Sequence, residues 1–312
     1  MPKFFKISDE VAAAQRRNQP IVALETAVLT HGLPRPQNLQ TAQRLEEAVR
    51  EEGAVPATIG VLDGRVLVGF GAEELKKLAD VDRAVKLSSR NLADAITQGK
   101  SGGTTVAGTL RVAGRANLSV FATGGIGGVH SGGHWDVSAD LPELARQPVI
   151  VVCAGAKSIL DLPATLEQLE TLGVPVIGYQ TDKFPAFFSR ESGLKLDVSV
   201  KNAEEAAEIA QRHWQLGGGG LLLAAPPPEE AALPRDEVES WIQTATAEAD
   251  TQGIHGQKLT PYLLRRIHEI SKGKTLNANM ALLENNAGIA AKIATHLQPP
   301  RNEGFGLLGN SA

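Results

Sequence analysis

Short apolar runs alternate with stretches of helical periodicity along most of this chain. The apolar runs are PIVALET, PATIGVL, RVLVGF, AVKLS, LSVFATGG, PVIVVCAG, PVIGYQT and GGLLLAAPP. They are near-continuously apolar rather than alternating, a pattern typical of strands that helices cover on both faces. We therefore predict an α/β fold, a layered α/β/α arrangement with a mostly parallel central sheet.

Helical stretches separate these predicted strands and then take over the chain. Those between strands include LQTAQRLEEAVREE, NLADAITQG, TTVAGTLRVAGRA, LPELARQ, LPATLEQLETLG and AEEAAEIAQRHWQLG. From about residue 234 onward the pattern is mostly helical, so a helical C-terminal part is expected. We predict a single domain over residues 1–298 and a flexible tail over residues 299–312, PPRNEGFGLLGNSA.

Three turn and cap signals refine this outline. Asp63 and Gly64 lie between two apolar runs and predict a tight β-hairpin. Asn38 is expected to cap the helix LQTAQRLEEAVREE, and Gly53 to end it.

Composition and charge narrow the class of protein. The net charge of −4 argues against a general nucleic-acid binder, because no basic field would attract phosphate backbones. The single cysteine excludes an internal disulfide and suits a reducing compartment. The N-terminal stretch lacks the apolar core of a signal peptide, and no apolar run approaches the length of a membrane span. We expect a cytoplasmic protein with neither a nucleic-acid nor a membrane partner.

Polar residues follow several of the predicted strands. Glu25 ends IVALE, Lys86 follows the strand around Val85, and Lys157 comes just after VIVVC. The glycine loop TGGIGG follows LSVFA, and the pair Thr181 and Asp182 follows PVIGYQ. Because ligands gather at the carboxyl ends of strands in open α/β sheets, we expect these groups to converge there.

Lys157 has two interpretations. The stretch GAKS lacks the first glycine and the last glycine of a Walker A motif, so a phosphate-binding loop of that type is rejected. A lysine among small apolar residues has its ammonium form disfavoured, so it can form a Schiff base with an aldehyde. Alternatively, Lys157 extends to solvent or pairs with Asp161.

Glu25 also leaves two possibilities open. A carboxyl group at the end of an apolar strand can act as a general acid whose pKa is raised. It can equally be a buried glutamate that pairs with a lysine.

The segment TGGIGGVHSGGHWDVSAD, residues 123–140, combines glycines with possible ligands. Its glycines allow backbone N–H groups to approach an anion. Asp136 and Asp140 are hard oxygen ligands suited to Mg²⁺ or Mn²⁺. Alternatively, Asp140 is the N-cap of LPELARQ, and Glu143 completes a capping box.

Two further segments carry polar groups on predicted helices. GGTTVAGT is a glycine-rich helix start that can bind phosphate, or simply a threonine N-cap with tight packing behind it. LNANMALLENNA carries four asparagines, poor helix formers that suggest polar contacts with a ligand or a neighbouring chain.

Ten blocks taken together resemble the pseudouridine-5′-phosphate glycosidase family, also called the indigoidine synthase A-like family. They are ALETAVLTHGLPRPQN, PATIGVLDGRVLVG, VKLSSRNL, GGTTVAGT, FATGGIGGVH, DVSADLPELAR, VVCAGAKSILDLPATLEQLETLGVPVIGYQTDKFPAFFSR, GGGLLLAAP, GQKLTPYLLRRI and LNANMALLENNA. They run in the family's order over nearly the whole chain. The resemblance implies reversible cleavage of the C1′–C5 bond of pseudouridine 5′-phosphate to uracil and ribose 5-phosphate, with Mn²⁺ as cofactor and a homotrimeric assembly.

The resemblance also implies roles for individual residues. Lys157 in CAGAKS matches the Schiff-base nucleophile, and Glu25 in ALET matches the proton donor to the ribose ring oxygen. Asp136 in DVSAD matches the metal ligand. The implied substrate-binding residues are Lys86, Thr105, Val106, His130, Ser138, Ala139, Asp140 and Asn279.

Two segments depart from the family pattern. HSGGHWDVSAD is about two residues shorter than the usual stretch between the histidine and the aspartate, and SSRN replaces a stretch that usually has two arginines and an aspartate. A Schiff-base enzyme for another C-ribosyl or phosphosugar substrate is therefore an alternative hypothesis. A non-catalytic binding homologue is a third, which the intact Lys157, Glu25 and Asp136 disfavour.

Overall fold

The computed structural model describes residues 2–130, 136–254 and 259–297. The strands are β1 Phe5–Ile7, β2 Ile21–Leu24, β3 Val55–Leu62, β4 Arg65–Val68, β5 Val85–Leu87, β6 Gly102–Thr104, β7 Val120–Ala122, β8 Ile150–Cys153, β9 Val176–Tyr179, β10 Val198–Val200 and β11 Leu221–Ala224. The predicted flexible tail, residues 299–312, lies outside the described residues.

Helices lie between these strands and after the last of them. They are α1 Asp9–Arg16, α2 Gln37–Glu51, α3 Ala72–Ala79, α4 Leu92–Thr97, α5 Val106–Arg115, α6 Asp140–Arg146, α7 Leu162–Thr171, α8 Ala203–Gln215, α9 Arg235–Thr251, α10 Leu259–Ile270 and α11 Lys274–His296, with a π-helical turn at Val28–Gly32. Within the described residues, no helix is both long enough and apolar enough to cross a membrane.

The central sheet runs in the order β1-β4-β3-β2-β7-β8-β11-β9-β10. The neighbouring pairs from β3 to β10 are parallel, while β3 and β4 form the antiparallel hairpin predicted at Asp63 and Gly64, both of which have positive φ. Strand β6 pairs antiparallel with the far half of β3, and β5 pairs parallel with β6. The predicted α/β fold with a mostly parallel sheet is confirmed.

Helices bury both faces of this sheet, as the apolar strands predicted. One core packs around Phe121, Leu222 and α5, and the other around Ile150, Leu223 and α11. Burial of apolar surface in these two cores is the main source of the protein's stability. The C-terminal helix α11 contacts β2, β7 and β8, so it lies directly behind the strands that carry the site.

Asn38 does not cap α2 as predicted. The N-cap is Pro36, and Asn38 is buried inside the first turn. Its side-chain amide donates to the carbonyl oxygens of Leu29 and Ala79, at 3.0 and 3.3 Å. The asparagine therefore ties the helix to neighbouring turns, a long-range use that local capping rules do not reveal.

Candidate active site

Three parallel strands bring together the central groups of the site. Strands β2, β7 and β8 are consecutive neighbours, so their carboxyl ends meet at one edge of the sheet. Glu25 follows β2 directly and Thr123 follows β7 directly. Lys157 lies four residues beyond β8, where its backbone N–H donates to Ile126 O at 3.1 Å. The predicted convergence of Glu25, the glycine loop and Lys157 is confirmed.

Lys86 reaches the same place by a different route. It does not follow a strand, as the sequence suggested, but is the middle residue of β5. Strand β5 pairs with β6 rather than with the parallel strands of the central sheet. The charge of Lys86 nevertheless acts on Glu25, so the side chain faces the same cluster.

The remaining pair of predicted residues does not join this cluster. Thr181 follows β9, which is separated from β8 by β11. Its hydroxyl closes its own turn, accepting from the backbone N–H of Lys183 at 3.1 Å. Because β11 lies between β8 and β9 in the sheet, the end of β9 is two strands away from Lys157. The order of the strands along the chain does not predict this insertion.

The Glu25 carboxyl group is held in an environment that favours its protonated form. Burial raises its pKa above the usual 4.5, and the charge of Asp140 acts in the same direction. The positive charges of Lys157 and Lys86 and a hydrogen bond from Thr123 oppose that rise. Since the net shift of the pKa is upward, Glu25 keeps its proton to a higher pH than an exposed glutamate, which suits a proton donor.

Lysine side chains complete the cluster. Lys86 as a whole is exposed to solvent. Desolvation of its ammonium group and the neighbouring positive charge of Lys157 nevertheless lower the pKa of that group. Lys157 is half-buried. The pairing of Lys157 with Asp161 that the sequence left open is not observed among the described residues. Asp161 is instead the N-cap of α7 and accepts from Ala164 N at 3.0 Å.

Asp140 joins two backbone segments that border the cluster. One carboxylate oxygen accepts from Ala107 N at the start of α5, and the other accepts from Gly127 N in the glycine loop, both at 2.8 Å. The residue is only 6 % exposed. It is the first residue of α6 rather than its N-cap, which is Ala139. The predicted capping box is also wrong, since the buried Glu143 pairs with Arg111 instead.

The start of α5 is partly occupied by protein groups. Thr105 is its N-cap, as predicted, and accepts from Gly108 N at 3.3 Å. Val106 is buried beside it, and the next N–H group, that of Ala107, binds Asp140. The N-terminus of α5 therefore binds the Asp140 carboxylate of its own chain. This negative charge partly neutralises the positive end of the helix dipole, which weakens its attraction for a substrate phosphate.

Glycines are needed where the loop passes close to other groups. A side chain at Gly127 would contact Ser138 and come within 2.8 Å of Asp140 Oδ2. A side chain at Gly125 would meet the Phe187 ring at 2.6 Å. The TGGIGG segment is thus glycine-rich because it is packed between neighbours, and this close packing brings Gly127 N to Asp140.

The predicted metal ligand lies at the outer end of this loop. Asp136 has a side chain 53 % exposed, and its Oδ1 is 3.4 Å from Nδ1 of His130. The other ring nitrogen of His130 is 3.0 Å from the Thr260 hydroxyl on α10. Among the described residues there is no cluster of three or more His, Cys, Asp or Glu side chains able to hold a metal. His134 and Trp135 lie outside the described residues.

Ser138 and Ala139 connect this region to Asp140. The Ser138 hydroxyl accepts from Asp140 N at 3.2 Å, and Ser138 N donates to Gly128 O at 2.9 Å. Both residues are half-buried.

Helix α11 supplies the asparagines that the sequence singled out. Asn279 is half-buried, and its Oδ1 lies beside Gly124. Asn286 is fully buried, and its amide donates to Thr123 O at 2.8 Å. Neither Thr123 nor Asn286 is among the site residues predicted from the sequence. The asparagine-rich pattern pointed to the helix, but not to Thr123 as its partner.

The fold and the cluster define a class of protein. It is an α/β protein with a site at the carboxyl edge of a parallel sheet, in which an amine and a protonatable carboxyl group lie together. Sequence comparison identifies the family within that class. The profile described as indigoidine synthase A like protein matches residues 10–296, so the chain belongs to this family.

Curated relatives are similar over nearly their whole length. The pseudouridine-5′-phosphate glycosidase of Caldanaerobacter subterraneus subsp. tengcongensis is 50% identical over 300 residues, covering 95% of this chain and 98% of the relative. That of Sorangium cellulosum is 51% identical over 292 residues, covering 93% and 92%. The resemblance found from sequence blocks is confirmed.

Two solved structures share the fold. The prealnumycin C-glycosynthase, in complex with ribulose 5-phosphate, superposes with a TM-score of 0.89 at 39% identity and covers 95% of this chain and 98% of its own. An indigoidine synthase A-like protein from Thermotoga maritima gives 0.85 at 37% identity, covering 94% and 96%.

Proposed function

We propose that this protein is a pseudouridine-5′-phosphate glycosidase that reversibly releases uracil and ribose 5-phosphate. The observation that carries the proposal is the joint placement of Glu25 and Lys157 at the carboxyl edge of the sheet, where their charges interact. Relatives about 50% identical bear this activity in their names. A structural neighbour, the prealnumycin C-glycosynthase, was crystallised with ribulose 5-phosphate, a phosphosugar.

The chemistry requires an electron donor at C1′. The C1′–C5 bond joins two carbons, so there is no leaving heteroatom to protonate, and the usual pair of carboxylates of a glycosidase is a poor solution. An amine that becomes bonded to C1′ is such a donor, because its lone pair forms an iminium with C1′ while the electrons of the breaking carbon–carbon bond leave with C5 of the base.

In the proposed sequence, the neutral Lys157 amine attacks C1′ and the C1′–O4′ bond breaks. Glu25 gives its proton to O4′, so the sugar opens and Glu25 becomes a carboxylate. The new secondary ammonium then releases a proton, and C5 of the base takes up a proton as the C1′–C5 bond breaks and the C1′=N iminium forms. Water hydrolyses this iminium to free ribose 5-phosphate and Lys157, and the last proton returns to Glu25.

The surrounding residues would bind and orient the substrate. Lys86 brings a positive charge beside Glu25 and Lys157, which suits it to an anionic sugar phosphate. The backbone at Thr105 and Val106 and the segment Ser138–Asp140 border the same site. We propose His130 and Asn279 as further polar contacts, the first at the outer end of the glycine loop and the second beside Gly124.

Asp136 is the residue that we propose for Mn²⁺. A half-exposed carboxylate fits a cation that keeps several water ligands and takes others from the substrate. When bound there, the ion would add positive charge near the substrate oxygens. Electron paramagnetic resonance of Mn²⁺ should show tighter binding by the native protein than by Asp136→Asn. Equal binding by the two would remove Asp136 from this role.

The decisive experiment measures uracil release from pseudouridine 5′-phosphate with Mn²⁺ present. We expect release by the native protein but not by Lys157→Ala. The matched control Lys201→Ala, which removes an exposed lysine two residues before α8, should release uracil like the native protein. Borohydride with ribose 5-phosphate should attach the sugar to Lys157. Absence of uracil from the native protein would refute the proposed activity, and an adduct on another lysine would refute the nucleophile.

A second candidate is Schiff-base chemistry on another C-ribosyl or phosphosugar substrate. It is favoured by the 39% identity to a C-glycosynthase and by the altered HSGGHWDVSAD segment. Borohydride trapping with several aldose phosphates tests it. Trapping without uracil release would favour this candidate over the first.

We further propose a homotrimer, as the family resemblance implies, and a cytoplasmic location, as the single cysteine and the sequence pattern favour. Sedimentation equilibrium should give three times the chain mass of 32.9 kDa. The mass of a single chain would contradict the trimer. Fractionation of cells tests the compartment.

A further inference from the structure

We propose that Thr123 is a positioning residue that holds the Glu25 carboxyl group through its hydroxyl and leaves the second carboxyl oxygen to the substrate. The inference rests on the proposed role of Glu25 as proton donor. Thr123 lies in the family block FATGGIGGVH, but neither the sequence motifs nor the family resemblance gave this threonine a role.

The contact itself is direct and partly buried. Strands β2 and β7 are paired with Leu24 opposite Ala122, so the next residues, Glu25 and Thr123, lie side by side. The Thr123 hydroxyl donates to Glu25 Oε1, and the threonine is 1% exposed. Within the described residues, this is the hydrogen bond that the Glu25 carboxyl group makes.

The backbone of Thr123 is fixed from two sides. Its N–H donates to Val152 O on β8 at 3.0 Å. Its carbonyl oxygen accepts from the Asn286 amide at 2.8 Å, and Asn286 is fully buried on α11. Because neither partner can move without disturbing the core, the hydroxyl has a set position from which to orient the acid.

This arrangement has a chemical consequence. A carboxyl group anchored at one oxygen cannot rotate freely, so its other oxygen keeps a constant direction toward the ring oxygen of the sugar. The hydroxyl also stabilises the ionised form of Glu25 and so opposes the effect of burial on its pKa. The other charges that act on Glu25 are those of Lys157, Asp140 and Lys86.

Three variants separate this role from a packing role. Thr123→Val keeps the shape and loses the hydroxyl, whereas Thr123→Ser keeps the hydroxyl and loses a methyl group. Thr41→Val is a matched control, because Thr41 is also fully buried but its hydroxyl has no hydrogen-bond partner within the described residues. A structural role alone would make Thr123→Ser at least as harmful as Thr123→Val.

The test follows the Glu25 carboxyl by infrared spectroscopy of protein with ¹³C-labelled glutamate, and Glu25→Gln identifies its band. We expect the titration midpoint of Glu25 to move upward in Thr123→Val and to stay near the native midpoint in Thr123→Ser and Thr41→Val. In the uracil assay, kcat of Thr123→Val should fall about tenfold to a hundredfold, with KM changed less. Thr123→Ser should recover most of this loss.

The inference is overturned if Thr123→Val titrates like the native protein, or if Thr123→Ser moves the midpoint as far as Thr123→Val. These infrared outcomes do not depend on turnover. If the native protein releases no uracil but the midpoints move as expected, the proposed function fails while the hydroxyl–carboxyl coupling stands. Moved midpoints with kcat unchanged in Thr123→Val would overturn the positioning role itself.

Discussion

Removing the Asp140 side chain tests whether this aspartate holds the site together. In Asp140→Ala, Ala107 N and Gly127 N each lose an acceptor that now lies 2.8 Å away. These two groups belong to the start of α5 and to the glycine loop, which the carboxylate joins. Since Asp140 is 6 % exposed, water has little access to replace it.

The magnitude follows from these two contacts. A hydrogen bond to a charged group contributes about 1.5–3 kcal/mol, so the two together contribute roughly 3–6 kcal/mol. Loss of the buried carboxylate also relieves its desolvation and its repulsion of Glu25, which offsets part of this amount. We expect the free energy of unfolding of Asp140→Ala to fall by about 3 kcal/mol.

Urea unfolding at fixed protein concentration measures this change, because association in the proposed trimer would make apparent stability depend on concentration. Fluorescence of Trp214 and Trp241, on α8 and α9, reports the transition. Asp136→Ala is the matched control: its carboxylate is 53 % exposed and should change stability by no more than about 0.5 kcal/mol. A loss below about 1 kcal/mol in Asp140→Ala would refute the reasoning.

Three further predictions follow from the same region. Burial raises the pKa of Glu25 above 4.5, so ionisation of this carboxyl group destabilises the folded protein as pH rises past that value. At pH 8, Glu25→Gln should therefore have a higher urea midpoint of unfolding than the native protein, and the difference between the two midpoints should disappear at pH 4. Gly127→Ala brings a methyl group within 2.8 Å of Asp140 Oδ2 and should cost about 1–3 kcal/mol of unfolding free energy and most of the activity. The fully buried Cys153 thiol, whose pKa burial raises to about 12, should resist a disulfide reagent in native protein and react once urea unfolds it.

Much of the fold could be predicted because local patterns reflect local physics. Apolar runs without alternation predicted strands covered on both faces, and Asp63-Gly64 predicted the hairpin between β3 and β4. Strands β1, β6 and β10 were missed because none of them is a continuous apolar run: their sequences are FKI, GGT and VSV. Asn38 was misassigned because its partners, Leu29 and Ala79, belong to other segments.

In the candidate site, too, local sequence patterns predicted some residues, and long-range contacts decided the rest. The sequence by itself identified Glu25, Lys157 and the glycine loop, because a polar residue after an apolar strand marks the edge where ligands bind in α/β folds. The same rule singled out Lys86, and its oxygen chemistry marked Asp136 as a possible metal ligand, whereas family resemblance assigned their roles and added Ser138 and Ala139. Which of these residues meet depends on strand order, and strand order depends on long-range packing that no local pattern encodes.

Tertiary structure decided three things that the sequence left open. The pairing of β2 with β7 put Thr123 beside Glu25, and the packing of α11 put Asn286 behind Thr123. The approach of the glycine loop to α5 gave Asp140 two backbone partners instead of a capping role. The physical reason is common to all three: a buried polar group must find a hydrogen-bond partner, and folding, not chain distance, determines which one is within reach.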